Sequence, residues 1–164
     1  MGNFREVNLK EIDPREILGP ISHIYRSNVV YMAKELDAYR VGSGQFEFLL
    51  FLYHRDGISQ ETLAKTLKVS KATSARAIQS LETEGFVYRE RDESDLRAYR
   101  VYLTEKGKEM RDIIFKKQTS FISILFSDFT FEEIEIFRLL IHKAVIKLFE
   151  PGFEPPLDRT NGMK

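Results

Sequence analysis

The stretch Ser70–Gly85, SKATSARAIQSLETEG, decides how the surrounding chain folds. Ser70 is placed to cap a helix by accepting a hydrogen bond from a free backbone N–H, and Gly85 to end it in the left-handed conformation. At about 100° per residue Ala75, Ile78 and Leu81 gather on one side, and Ala72, Thr73, Arg76 and Ser80 on the other. One face packs and the other is presented. The presented face carries small side chains, hydroxyl and guanidinium, which suit close approach to base edges in a major groove. Between Thr62 and Leu81 lie four basic residues, Lys65, Lys68, Lys71 and Arg76, and no acidic one, a local bias that favours phosphate. Taken alone, the pattern fits an ordinary amphipathic surface helix equally well.

The flanks give it a context. Upstream, Arg55-Asp56-Gly57 reads as a turn and Ser59 as the cap of a helix through Leu63, Ala64 and Leu67, joined to the first stretch by Lys68-Val69. Two short helices in close succession, the second with a polar outer face, form a helix-turn-helix pattern. Downstream, FVYRER (86–91) and YRVYL (99–103) read as two strands around the polar DESDLRA, with Arg97 projecting from the tip. A hairpin in that place is a wing.

Further out, Asp13-Pro14-Arg15-Glu16 reads as a helix start, and Gly19-Pro20 predicts an interruption and a second start. Ile21, Ile24, Tyr25, Met32 and Leu36 then make an apolar stripe, and Gly42-Ser43-Gly44 breaks the chain before a helix bearing Phe46, Leu49, Leu50, Leu52 and Tyr53. The apolar content of that helix places it at the centre of the domain. Thr104 is the expected cap of a long helix to about Ser127. Thr130 and Glu133 form a capping box for another, with Phe129 and Ile134 as a hydrophobic staple. From Phe121 to Phe149, 18 of 29 residues are apolar, more than a helix packed on one side needs, which predicts a partner surface. The tail from 150 to 164, with Pro151, Pro155 and Pro156, is expected to be flexible.

Composition narrows the function classes. The 25 Lys and Arg balance the 25 Asp and Glu, so only local charge distribution speaks to nucleic acid. The absence of cysteine excludes disulfides, thiolate metal sites and cysteine nucleophiles. No run approaches the roughly 18 unbroken apolar residues of a membrane span, and the N-terminus lacks a signal-peptide core, so a cytoplasmic protein without membrane contact is expected. His23, His54 and His142 are too dispersed for a zinc-site spacing, and Ser59, Ser70 and Ser74 have no His and Asp at a hydrolase spacing. Neither an enzyme activity nor a cofactor is expected.

The run DLRAYRVYLTEKG (95–107), with Asp95, Arg97, Leu103, Thr104 and Gly107, resembles the wing-to-helix signature of the MarR family of transcription regulators. The preceding ISQETLAKTLKVSKATSARAIQSLETEGFVYRERD resembles that family's helix-turn-helix. The resemblance implies a mainly α fold with a small β-hairpin wing. A winged helix-turn-helix lobe would span 40–104, and helices in 12–39 and 105–149 would form a dimerisation region. It implies an obligate homodimer on double-stranded DNA, with the recognition helix in the major groove and Arg97 in or near the minor groove. Ser70, Lys71, Ala72, Thr73, Arg76, Gln79 and Arg97 are the DNA-binding candidates; Asp95 is given a structural role in the wing turn. Leu96 stands where many members carry a second Arg, which implies one phosphate contact fewer. A small anionic or phenolic effector is also implied, for which His23, Tyr25 and Arg26 are candidates, although core or interface roles suit them equally. The rival reading is a winged-helix module that binds protein instead of DNA.

Overall fold

The computed structural model describes residues 12–148 apart from Ser94 and Leu96, so the expectations for the 150–164 tail, for Phe149 and for Leu96 lie outside the described residues. The fold is mainly helical with a small sheet. Helix α1 spans Pro14–Leu36, a single 3-10 turn Asp37–Tyr39, α2 Gln45–His54, β1 Ile58–Ser59, α3 Gln60–Thr66, α4 Lys71–Thr83, β2 Val87–Arg91, β3 Tyr99–Leu103, α5 Glu105–Leu125 and α6 Phe131–Lys147. The chain divides into two compact units at Phe121/Ile122.

The expected interruption at Gly19-Pro20 does not occur: α1 is continuous, with Pro20 inside it. Proline removes the hydrogen bond to the carbonyl four residues earlier, here that of Glu16. Residues 14–20 are all exposed, so water can satisfy that carbonyl and the turn survives. The start is as read, with Asp13 accepting from the Arg15 N–H at 2.9 Å and Pro14 in the first position.

In the first unit one buried cluster joins Met32 and Leu36 of α1, Phe46, Phe48, Leu49 and Leu52 of α2, Leu63 of α3, Ile78 and Leu81 of α4, Val87 and Val101 of the sheet, and Met110 and Ile114 of α5. Leu50, Phe51 and Tyr53 also pack on it, so α2 is covered on several faces, as its composition requires. The sheet has three strands in the order β1-β3-β2, both pairs antiparallel, with Ile58 opposite Val101 and Val87 opposite Leu103. Sequence patterning found β2 and β3 but not β1, whose two residues offer no alternation to read.

Two glycines set how the lobe joins α5. Gly85 takes φ of 76°, turning the chain out of α4 so that the Phe86 N–H reaches the Leu81 carbonyl at 2.8 Å. Gly107 lies directly under Phe86, whose carbonyl oxygen would overlap any Cβ there. Thr104 caps α5 through its Oγ1, which accepts from the Gly107 N–H at 3.0 Å and donates to the Gly85 carbonyl at 2.7 Å. Tyr53 of α2 donates its hydroxyl to the Gly107 carbonyl at 2.9 Å. Elsewhere α5 meets α1 through the Lys117–Glu35 pair at 2.6 Å and the Tyr31 and Phe121 rings at 5.4 Å.

In the second unit the capping box of α6 is present: the Thr130 N–H donates to Glu133 Oε2 at 2.9 Å and the Glu133 N–H to Thr130 Oγ1 at 3.3 Å. Phe126 stands edge-on to Phe129 and to Phe137, at 5.2 and 5.3 Å. No residue of α6 is buried, and Phe131, Ile136, Leu139 and Leu140 are each more than half exposed.

Candidate nucleic-acid interface

Helices α3 and α4 are cut to length by their caps. Ser59 Oγ accepts the Thr62 N–H at 3.2 Å, and Ser70 Oγ accepts the Thr73 N–H at 3.1 Å. Between them Lys68 takes the left-handed φ of 53°, and the Val69 N–H closes on the Ala64 carbonyl at 3.1 Å. Leu63 and Ala64 are buried beneath α4, whose inner face is Ser74, Ile78 and Leu81. Ala75, placed on that face by the wheel, is half-buried, as is Ser80, which the wheel placed outside. Sequence reasoning missed Ser74 as a packing residue because a hydroxyl on an apolar face contradicts the pattern. Its Oγ is buried without a hydrogen-bond partner.

Ser70, Lys71, Ala72, Thr73, Arg76 and Gln79 are all exposed, and α4 gathers them at its outer face and leading end. Their electrostatic states differ. Arg76 forms no ion pair among the described residues. Lys71 Nζ is 3.2 Å from Glu61 Oε1, and Lys65 Nζ is 3.4 Å from the same oxygen. Lys71 above all, then Lys65, holds the Glu61 carboxyl below its usual range. Gln79 Oε1 accepts from Arg89 Nη2 at 2.8 Å, and Arg89 Nε donates to Glu82 Oε2 at 3.1 Å while its guanidinium lies 5.8 Å from the centre of the Tyr99 ring. The β2 strand is thereby tied to α4.

At the wing, Asp95 Oδ1 accepts the Arg97 N–H at 3.0 Å and the Asp95 carbonyl accepts the Ala98 N–H at 2.8 Å. The Arg97 side chain is exposed and has no ion-pair partner among the described residues. The base of the wing rests on a pair that the sequence reading passed over: Asp92, only 5% exposed, holds Arg100 Nε at 2.7 Å, and Arg100 Nη1 donates to the Gly57 carbonyl at 2.9 Å. Arg97, Asp95 and Tyr99 line a cavity of about 340 Å³ together with Gln60, Glu61 and Lys71, so the wing turn and the leading ends of α3 and α4 face a common space.

The effector candidates are not brought together. Tyr25 donates its hydroxyl to Glu47 Oε2 at 3.3 Å and lines a cavity of about 510 Å³ with Leu50, Phe51 and His54. Burial raises the Glu47 carboxyl above its ordinary value. Arg26 lines a different depression beside Arg15 and Leu18, and His23 lines neither. Among the described residues no cluster of three or more His, Asp or Glu could hold a metal ion, and no helix is long and apolar enough to cross a membrane.

A capped helix pair with an exposed second face, followed by a pinned hairpin, defines a winged helix-turn-helix protein. The sequence profile of the MarR family matches residues 43–99. The chain is 36% identical over 118 residues to the uncharacterized HTH-type transcriptional regulator YybA of Bacillus subtilis (strain 168), covering 72% of this chain and 75% of that one. Among solved structures, a MarR transcriptional regulator from Methanosarcina mazei Go1 is 45% identical with a TM-score of 0.74, covering 81% of this chain and 99% of that one. A putative MarR family regulator from Listeria monocytogenes, solved in complex with a 26mer DNA, is 26% identical with a TM-score of 0.72, covering 80% and 88%. The chain belongs to the MarR family and is a DNA-binding transcriptional regulator.

Proposed function

We propose that the protein acts as a homodimer on a pseudo-palindromic operator, each copy placing α4 in the major groove and its wing beside the adjacent minor groove. The lobe of residues 40–104 is the reading head, and the helices in 12–39 and 105–149 join the two copies. The observation that carries the reading is Arg76, exposed on the outer face of α4 with no ion-pair partner among the described residues and therefore free to meet a guanine edge. Ser70, Ala72 and Thr73 are short enough to let the helix approach the bases, while Lys71 and Gln79 reach the DNA by releasing Glu61 and Arg89. Arg97 contacts the minor groove or its phosphates, and Asp95 shapes the turn that carries it. The Listeria relative crystallised with DNA supports the same mode of use.

Dimerisation is supported by the apolar side chains that α6 leaves uncovered, since an obligate interface buries more than about 2,000 Å² and is rich in such residues. A small anionic or phenolic molecule controls DNA binding; of the three candidates, Tyr25 with its adjoining cavity is the best placed.

A two-fold dimer of rigid reading heads fixes the spacing of half-sites at about one helical turn, roughly 10 base pairs. Footprinting on the chain's own upstream DNA tests this. Inserting half a turn between half-sites is expected to abolish binding, and inserting a whole turn to restore part of it. Indifference to both insertions defeats the reading and favours a module that binds protein.

A further inference from the structure

The stretch from Thr62 to Leu81 is purely basic in sequence, but folding brings a carboxylate to it. Glu61 sits in the first turn of α3, where a negative charge is stabilised by the helix N-terminus, and its Oε1 lies within 3.2 Å of Lys71 Nζ and 3.4 Å of Lys65 Nζ. One oxygen therefore engages two of the four cations of that stretch. Glu61 also lines the cavity shared by Lys71 and Arg97, so its charge faces the space between α4 and the wing. Lys71 is the first residue of α4, the end of a recognition helix that meets the DNA, and its long stem can reach a flanking phosphate.

We propose that Glu61 is an electrostatic brake on DNA binding: by holding Lys71 it withholds a cation from phosphate and lowers affinity for duplexes of every sequence. The proposal rests on α4 being the reading head. Sequence-independent affinity comes from cations that replace counterions at phosphates, one for each contact made. A lysine already paired with a carboxylate must leave it to make such a contact, and the carboxylate left behind repels the incoming phosphate. Arg76, which reads bases, forms no pair with Glu61, so the brake acts on the part of the binding that carries no sequence information. The consequence is that specific and non-specific binding weaken together, so DNA of every sequence is less occupied at a given concentration while the preference between sequences stays as the base contacts set it.

Glu61→Gln preserves size and removes the charge. Fluorescence anisotropy of the full-length chain with a labelled random-sequence duplex, at several salt concentrations, is the measurement. Glu61→Gln is expected to bind about fivefold more tightly at low salt, with the gain shrinking as salt rises because the Lys71–Glu61 pair that it removes is itself screened. Adding Lys71→Gln to that variant is expected to take the gain back. Unchanged or weaker binding by Glu61→Gln overturns the proposal, provided circular dichroism finds the variant folded; Glu61→Asp, which keeps the charge on a shorter stem, serves as the second test and should gain less than Gln. A gain that persists in the Glu61→Gln, Lys71→Gln double variant also overturns it, because the carboxylate then acts without holding Lys71. Arg76→Ala, run alongside on a duplex carrying the chain's own upstream sequence, separates the two failures. If Arg76→Ala weakens binding while Glu61→Gln leaves it unchanged, the brake alone is lost; if neither changes anything, the assignment of α4 as reading head falls with it.

Discussion

The lobe around α3 and α4 and the helix α6 use apolar residues in opposite ways. In the lobe, Leu63, Ile78 and Leu81 have no exposed surface, and the outer face of α4 is polar. In α6 no residue is buried and only Ile134 and Glu135 are half-buried, although Phe131, Ile136, Leu139, Leu140 and Ile141 are as apolar as any in the lobe. The lobe buries its apolar side chains, whereas α6 leaves most of its own uncovered. The contrast teaches that DNA reading and the proposed pairing impose different demands on side chains: one needs a rigid interior beneath a polar face, the other an apolar exterior.

The largest effect that can break this contrast is Leu63→Ala. Loss of a fully buried leucine should destabilise the fold by about 2–5 kcal/mol at any protein concentration, read by urea denaturation. A cost below about 1 kcal/mol would mean that the lobe is not the rigid half. Next comes Arg76→Ala, which should leave folding intact and cost about 1–3 kcal/mol in operator affinity, with relaxed preference at one base position per half-site in a panel of operator variants. Arg97→Ala should act more weakly and evenly, reducing affinity across the panel and making the salt slope shallower by about one per subunit. The smallest effect on the single copy is expected from Leu140→Ala. At concentrations where copies separate, its stability should lie within about 0.5 kcal/mol of the parent's. At higher concentrations its melting temperature should rise less with concentration than the parent's does, because part of the stabilisation by association has been lost. A concentration-independent loss as large as that of Leu63→Ala would place Leu140 in a core and erase the contrast.

Much of the fold was legible because its helix boundaries are written in local chemistry. Ser59, Ser70 and the Thr130–Glu133 box announce helix starts through hydrogen bonds that span only three residues, so sequence spacing suffices to find them. Alternation likewise revealed β2, and a run of aromatic and β-branched residues β3. What escaped depends on residues far apart in the chain. β1 exists because Ile58 and Ser59 find Val101 and Arg100, and the Asp92–Arg100 pair forms only when the hairpin closes. Glu61 reads as an ordinary surface acid until the α3–α4 turn swings Lys71 back beside it. Pro20 misled in the other direction: the rule that proline ends a helix assumes that the freed carbonyl has no alternative partner, and an exposed turn provides one in water.

The bridge from Arg89 to Glu82, braced by Tyr99, has a metric consequence that outlasts the release of Gln79. A strand of the wing and the last turn of α4 are tied at side-chain level, so in the proposed mode of binding the jaw meant for the major groove and the jaw meant for the neighbouring minor groove keep a set opening. On a duplex the lobe is then a calliper. It responds to the distance between one groove and the next as well as to the bases in either, and DNA that is locally over- or underwound falls outside its gauge even when every base is correct.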